Sequence, residues 1–206
     1  MRRLSPYPPT RMRADAILRI ARNERLARWA GFSWGFAEGL FFFIVPDVYV
    51  MLATLFAPRA GAIAWMFSIG GSLAAVGVIY LLAVSCGLDY LSFLVRIPGI
   101  SGGLIEHVNG KLQADGLPYS PLLVLGGVPL KVYAALAFAR GSSLASVLSW
   151  TVFARVARMA PPVALAGVTR LLFHRSLDGH PRTRCVVFAV AWVAFYVFYF
   201  IRMGWF

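Results

Sequence analysis

Seven charged side chains lie inside apolar runs or at their ends, and through them this chain could do chemistry. Glu38 and Asp47 flank Pro46 in FAEGLFFFIVPDVYVMLATLFA, and Lys131 follows Pro129 in PLLVLGGVPLKVYAALAFAR. Arg155 and Arg158 fall near the middle of the apolar stretch 143–173, while Arg59 and Arg140 stand where runs end. A charge at the centre of a bilayer costs about 2.5–3.5 kcal/mol on insertion scales, so such residues face protein or a polar cavity. Arginine and lysine match the oxygens of a phosphate, and a carboxylate can position those cations or carry a proton. Two carboxylates stand against at least three cations, so a pocket that gathered them would be net positive. The expected binding set is Glu38, Asp47, Lys131, Arg155, Arg158 and Arg140, and the expected ligand is a membrane lipid with an anionic phosphate headgroup, with room for proton coupling.

Spacing says what must position these groups. Glu38 and Asp47 are nine residues apart, so one unbroken helix at 100° per residue would point them opposite ways. A break at Pro46 removes that constraint, since proline costs a helix interior about 3 kcal/mol. Arg155 and Arg158, three apart, share a helix face. Gly31, Gly35 and Gly39 recur at every fourth position on the side of Glu38, which predicts close helix approach and turns Glu38 toward protein. Gly70, Ala74 and Gly77 predict a similar seam in the next apolar segment.

The composition demands a membrane for these elements. Of 206 residues, 60% are hydrophobic and 14% charged, too few polar groups to cover a globule in water. Apolar segments run over 30–57, 60–88, 118–140, 143–173 and 185–206. The net charge of +12 comes largely from arginines that flank these segments: Arg2, Arg3, Arg11, Arg13, Arg19, Arg22, Arg25 and Arg28 before the first, and Arg170, Arg175, Arg182 and Arg184 before the last. That is the positive-inside pattern, which places the N-terminus in the cytoplasm and argues against nucleic acid. Residues 1–29 read as a basic arm followed by an amphipathic helix over 14–29, and 100–116 as a short interfacial helix. Cys86 and Cys185 have no redox or metal spacing. His107, His174 and His180 fall in expected loops without zinc-type spacing, so no catalytic residue, metal or cofactor is expected and the chain does not read as an enzyme.

The two broken segments are alike. Val45-Pro46-Asp47-Val48-Tyr49 recurs as Val128-Pro129-Leu130-Lys131-Val132-Tyr133 with one residue inserted, and each copy leads through an arginine–glycine turn into a long apolar helix. Repeats with proline- and glycine-interrupted segments in matching positions point to a transporter-like site. The loop 89–117 carries few basic residues. Placing it opposite the basic N-terminal region and the loop 174–184 requires both broken segments to enter and leave on one side. The expected fold is therefore an all-α integral membrane protein: an inverted repeat of two re-entrant helical hairpins, each followed by a spanning helix (30–88 and 118–173, within a membrane domain 30–173), plus a C-terminal transmembrane helix over 185–206.

These features resemble the DedA superfamily, also called the VTT or SNARE-associated Golgi protein family, over roughly residues 31–172. Glu38 with Pro46-Asp47 is similar to that family's acidic pair beside a proline, and Gly71, Gly77, Tyr80 and Gly87 to its glycine–tyrosine spacing. Pro129-Leu130-Lys131, followed by Arg155 and Arg158, is similar to the YqaA-like branch. Gly126 stands where many members have arginine, Leu130 where many have glycine, and Lys131 replaces an arginine. The resemblance implies opposed re-entrant hairpins in a bacterial inner membrane, with phospholipid scrambling or return of a carrier lipid phosphate as the activity. The residues alone leave open a proton- or ion-coupled transporter of a small solute and a membrane assembly protein without transport. A homo-oligomer fits either.

Overall fold

The computed structural model describes residues 18–85, 90–120 and 128–202. No strand occurs among them. The helices are α1 (Glu24–Leu40), α2 (Asp47–Phe56), α3 (Pro58–Ser85), α4 (Tyr90–Leu94), α5 (Gly102–Asp115), α6 (Leu130–Ala139), α7 (Leu144–Gly179) and α8 (Pro181–Arg202). The arm 1–13, Cys86, Gly87 and the first arm of the second broken segment, Pro121 to Gly127, lie outside the described residues.

Three helices are long and apolar enough to cross a membrane: Pro58–Val84, Leu144–Gly179 and Pro181–Ile201. Their outer faces fit that setting. Val186, Val190, Val193, Phe198 and Ile201 of α8 and Leu165, Leu171 and Leu172 of α7 are exposed, a larger apolar surface than a water-soluble monomer presents. The helices α2 and α6 have 10 residues each, about 15 Å at 1.5 Å per residue and half the hydrocarbon thickness. Each begins directly after the proline of its motif: Pro46 caps α2 and Pro129 caps α6. Proline suits that position because its missing N–H would have no helical partner there.

The chain doubles back between α1 and α2. Gly31, Gly35 and Gly39 of α1 sit against Ala64, Ser68 and Ala75 of α3, so α1 and α3 run in the same direction. The intervening α2 returns the chain: its Thr54 abuts Gly61 at the start of α3, and Glu24 pairs with Arg59 at 2.9 Å. The small residues make this possible. A methyl group at Gly31 or Gly35 would collide with the carbonyl oxygen of Ala64 or Ser68, and one at Gly71 with that of Phe32. Ser72, buried in the contact, satisfies its hydroxyl by donating to the Ser68 carbonyl at 2.9 Å within its own helix.

At the other end of α3, Tyr80 packs edge-on against Phe138 in the last turn of α6. Gly61 and Tyr80 are 19 positions apart, about 28 Å along the helix. The last turns of the two short helices thus lie near opposite ends of α3, while their proline ends point toward each other. Helix α7 returns alongside, with Trp150 against Tyr133 and Met159 packed among Ala27, Val50, Ala60 and Ala64. Helix α5 closes the far end, burying Val108 and Leu112.

Four sequence expectations need correction. The seam of α3 runs through Ala64, Ser68, Gly71, Ser72 and Ala75, whereas Gly77 has no neighbour within 4 Å and Gly70 only grazes Phe32. The face is displaced because register between two helices is set by both surfaces. The helix expected over 14–29 is interrupted: residues 18–21 are helical, and Asn23 then caps α1 by accepting from Arg25 and Leu26 N–H at 3.1 and 3.2 Å. The loop expected over 174–184 is helical to Gly179 and again from Pro181, so His174 is a helix residue. A non-helical Phe173 (φ −120°, ψ 20°) bends α7 there. The bend lets Arg170 grip Asp178 with two hydrogen bonds of 2.7 and 2.9 Å, a pair that a straight helix would hold about 12 Å apart. Finally, Arg140 stands apart from the other candidate site residues, as described next.

Candidate functional site

The break between α1 and α2 lies where α1 has reached the middle of α3, Gly39 against Ala75. Non-helical backbone at that depth must find hydrogen-bond partners inside the protein. Here one backbone carbonyl and several side chains supply them. The Phe41 and Phe42 N–H groups both donate to the Ala37 carbonyl at 2.8 Å. The Lys131 ammonium donates to the carbonyls of Glu38 (2.5 Å) and Phe42 (2.9 Å). Tyr90 donates to the Leu40 carbonyl at 2.6 Å, and Trp34 Nε1 to the Ile44 carbonyl at 2.9 Å. The Val45 N–H donates to the hydroxyl oxygen of Tyr196 at 2.8 Å. Lys131 sits at the proline end of α6, so this one side chain ties the start of α6 to the break after α1.

The charges meet at the same point. Glu38, Lys131 and Arg155 are each no more than 2% exposed. The Glu38 carboxylate accepts a short charge-assisted hydrogen bond from Arg155 and lies 4.0 Å from Lys131 Nζ. Arg155 Nε has no partner. Asp47, 4% exposed, lies one step outward. Arg158 approaches it at 3.6 Å, too far for a hydrogen bond, and neither Asp47 carboxylate oxygen receives one. The structure therefore brings Glu38, Asp47, Lys131, Arg155 and Arg158 together, as their types suggested.

Arg140 is not among them. It is exposed at the far end of α6 and binds α5, donating to Asn109 Oδ1 at 2.8 and 3.0 Å and to the Asn109 carbonyl at 3.1 Å. An arginine eleven residues from the proline is a full short helix away from the break. Arg59 is likewise occupied outside, by Glu24.

A cavity of about 590 Å³ opens beside the cluster. Glu38, Asp47, Lys131 and Arg158 form its polar side. Trp192, Phe195, Tyr196 and Tyr199 of α8 also line it, with Phe43, Pro98 and Pro129. The volume is that of a small-molecule site, and its lining is both charged and aromatic. Composition alone had presented α8 as a plain spanning helix. Its signal was legible: aromatic residues at 192, 195, 196, 199 and 200 follow the three-four spacing of one helix face.

Among the described residues no group of histidine, cysteine, aspartate and glutamate could hold a metal ion. Comparison with known proteins finds no matching family model, no matching curated protein and no matching solved structure.

Proposed function

We propose that this chain is a DedA-like membrane protein that moves lipid or lipid-phosphate headgroups across the bilayer through the cavity beside Asp47 and Arg158. One observation carries the reading: a carboxylate and a guanidinium, 3.6 Å apart and not hydrogen-bonded to each other, stand in the wall of a cavity at mid-depth of a helical bundle. Cations that only hold the bundle together are expected to be hydrogen-bonded to their carboxylate, as Arg155 is to Glu38.

The membrane arrangement we propose is two opposed re-entrant hairpins, each followed by a spanning helix. Three things support it. The short helices are half a bilayer long, their far ends are about 28 Å apart along α3, and Lys131 ties the start of α6 to the break after α1. Arginines gather at the Glu24–Arg59 end, where Arg22 also lies close enough to Asp178 to interact with it. By the positive-inside rule that end faces the cytoplasm, as in a bacterial inner membrane protein.

Acyl-chain-labelled phospholipids in proteoliposomes test the activity. The wild type is expected to move the label between leaflets faster than protein-free vesicles do, and Arg158→Gln to slow it at least about tenfold, the usual effect of removing a charged partner from a buried phosphate contact. Wild-type movement no faster than protein-free vesicles overturns the proposal. A second reading, a proton-coupled carrier of a small solute, draws on the hydrogen-bonding capacity left open on Asp47. Solute flux driven by a pH gradient without lipid movement would favour it.

A further inference from the structure

The cavity wall contains more than a phosphate requires. Of the charged groups that line it, two are committed elsewhere. Glu38 is held by Arg155, and Lys131 spends two of its three protons on the carbonyls of Glu38 and Phe42. Arg158 and Asp47 retain their capacity. Asp47 is 4% exposed, its oxygens accept no hydrogen bond from another residue, and the residue lines the cavity. A buried carboxylate without a donor is costly to maintain, so its natural complement is a cationic donor on the ligand.

The aromatic face of α8 lines the same space. Trp192, Tyr196 and Tyr199 line the same cavity, and Trp192 and Tyr196 lie together with ring centroids 5.8 Å apart. Tyrosine and tryptophan faces attract ammonium groups through the ring quadrupole, most strongly where water is excluded. A carboxylate beside such a wall is a seat for an ammonium, and a guanidinium 3.6 Å from that carboxylate is a seat for an anion linked to it by a short bridge.

Resting on the lipid-translocation reading, we infer that the headgroup this cavity takes is zwitterionic, with its phosphate on Arg158 and its ammonium between the Asp47 carboxylate and the aromatic wall of α8. A bare phosphate monoester at Arg158 would instead meet the Asp47 carboxylate as a like charge. A glycerol or sugar headgroup would leave that carboxylate with only Arg158, which the phosphate also engages. Phosphatidylethanolamine is the simplest lipid with both charges.

Two readouts on the full chain test this, one of binding and one of movement. In detergent, the thermal midpoint is measured with short-chain phosphatidylethanolamine and with short-chain phosphatidic acid. The ethanolamine lipid is expected to raise it more, and Asp47→Asn to remove the difference. In vesicles of phosphatidylcholine and phosphatidylglycerol, traces of acyl-chain-labelled phosphatidylethanolamine and phosphatidylglycerol are followed separately. The wild-type ratio of the two rates is expected at about ten or more, collapsing toward one in Asp47→Asn and falling about threefold in Trp192→Leu, in keeping with cation–π and ion-pair strengths. The ratio is internal to each preparation, so a poorly folding variant does not imitate the result. Equal stabilisation by both lipids in the wild type, or a ratio near one, overturns the inference while leaving translocation intact. Selective stabilisation without movement of any label supports the headgroup site and overturns translocation. Stabilisation by free phosphoethanolamine equal to that by the lipid supports the same zwitterion chemistry and assigns it to a soluble ligand.

Discussion

At the scale of single residues, burial decides what each charge contributes. Glu38 serves two cations that have no water to fall back on, Arg155 and Lys131. Glu38→Ala should therefore destabilise the fold by about 3–5 kcal/mol, the cost of stranding buried partners; denaturant unfolding in detergent micelles measures it. Arg140 gives the contrast. It is exposed, its partners are the neutral side chains of Asn109 and Gln113 and a carbonyl, and it lies away from the cavity. Arg140→Ala should cost no more than about 1 kcal/mol in the same titration and leave lipid movement at the wild-type rate. Both residues read alike in the sequence, as cavity charges at broken segments. What separates them is their distance from the break: Glu38 is in the last turn before it, and Arg140 is a ten-residue helix beyond it.

At the scale of elements, the contact of α1 with α3 depends on missing side chains. Gly35 has the Ser68 backbone where its Cβ would be, and Gly77 has nothing within 4 Å. Gly35→Val should therefore force the helices apart and lose at least about 1–3 kcal/mol by overpacking. Gly77→Ala should be neutral or stabilising by up to about 1 kcal/mol, because alanine favours the helix and meets no obstacle. Unfolding midpoints of the two variants check the pair, and a loss at Gly77 as large as at Gly35 would contradict the observed register. Helix α8 contributes differently. Its link to the first break is one hydrogen bond, Val45 to Tyr196, and the ring pair Phe43–Phe200. This helix forms the cavity wall, while the structural connections of the break run through Lys131, Trp34 and Tyr90.

At the scale of the whole molecule, the proposed arrangement is directional: two hairpins would open to opposite sides of the bilayer. Arg59 marks one opening, and Lys111, on the α5 helix that Arg140 grips, marks the other; both are exposed. With Cys86 and Cys185 changed to serine, Arg59→Cys and Lys111→Cys should react with an impermeant maleimide from opposite faces of oriented membrane vesicles, Arg59→Cys from the cytoplasmic face. Labelling of both from one face would mean that α2 and α6 do not oppose each other.

The amino-acid sequence by itself determined the class and the breaks. Apolar runs with flanking arginines require lipid. Pro46 and Pro129 cannot sit inside a helix without losing a hydrogen bond, and they start short helices as their position demands. The glycine face of α1 was likewise readable, because it is a property of one helix. Tertiary structure alone decided the partnerships. Helical spacing fixes which residues share a face, whereas the neighbour of that face depends on crossing and register between two helices, which neither sequence encodes alone. For that reason the α3 seam fell on Gly71 and Ala75 rather than Gly70 and Gly77, and Glu38 received Arg155 while Asp47 received Arg158. Lys131, which composition presents as a ligand for phosphate, became the clasp on the broken backbone between α1 and α2. The aromatic wall of α8 entered the site from 150 residues away, joined to the break by the Val45 N–H on Tyr196 and by the Phe43–Phe200 ring pair.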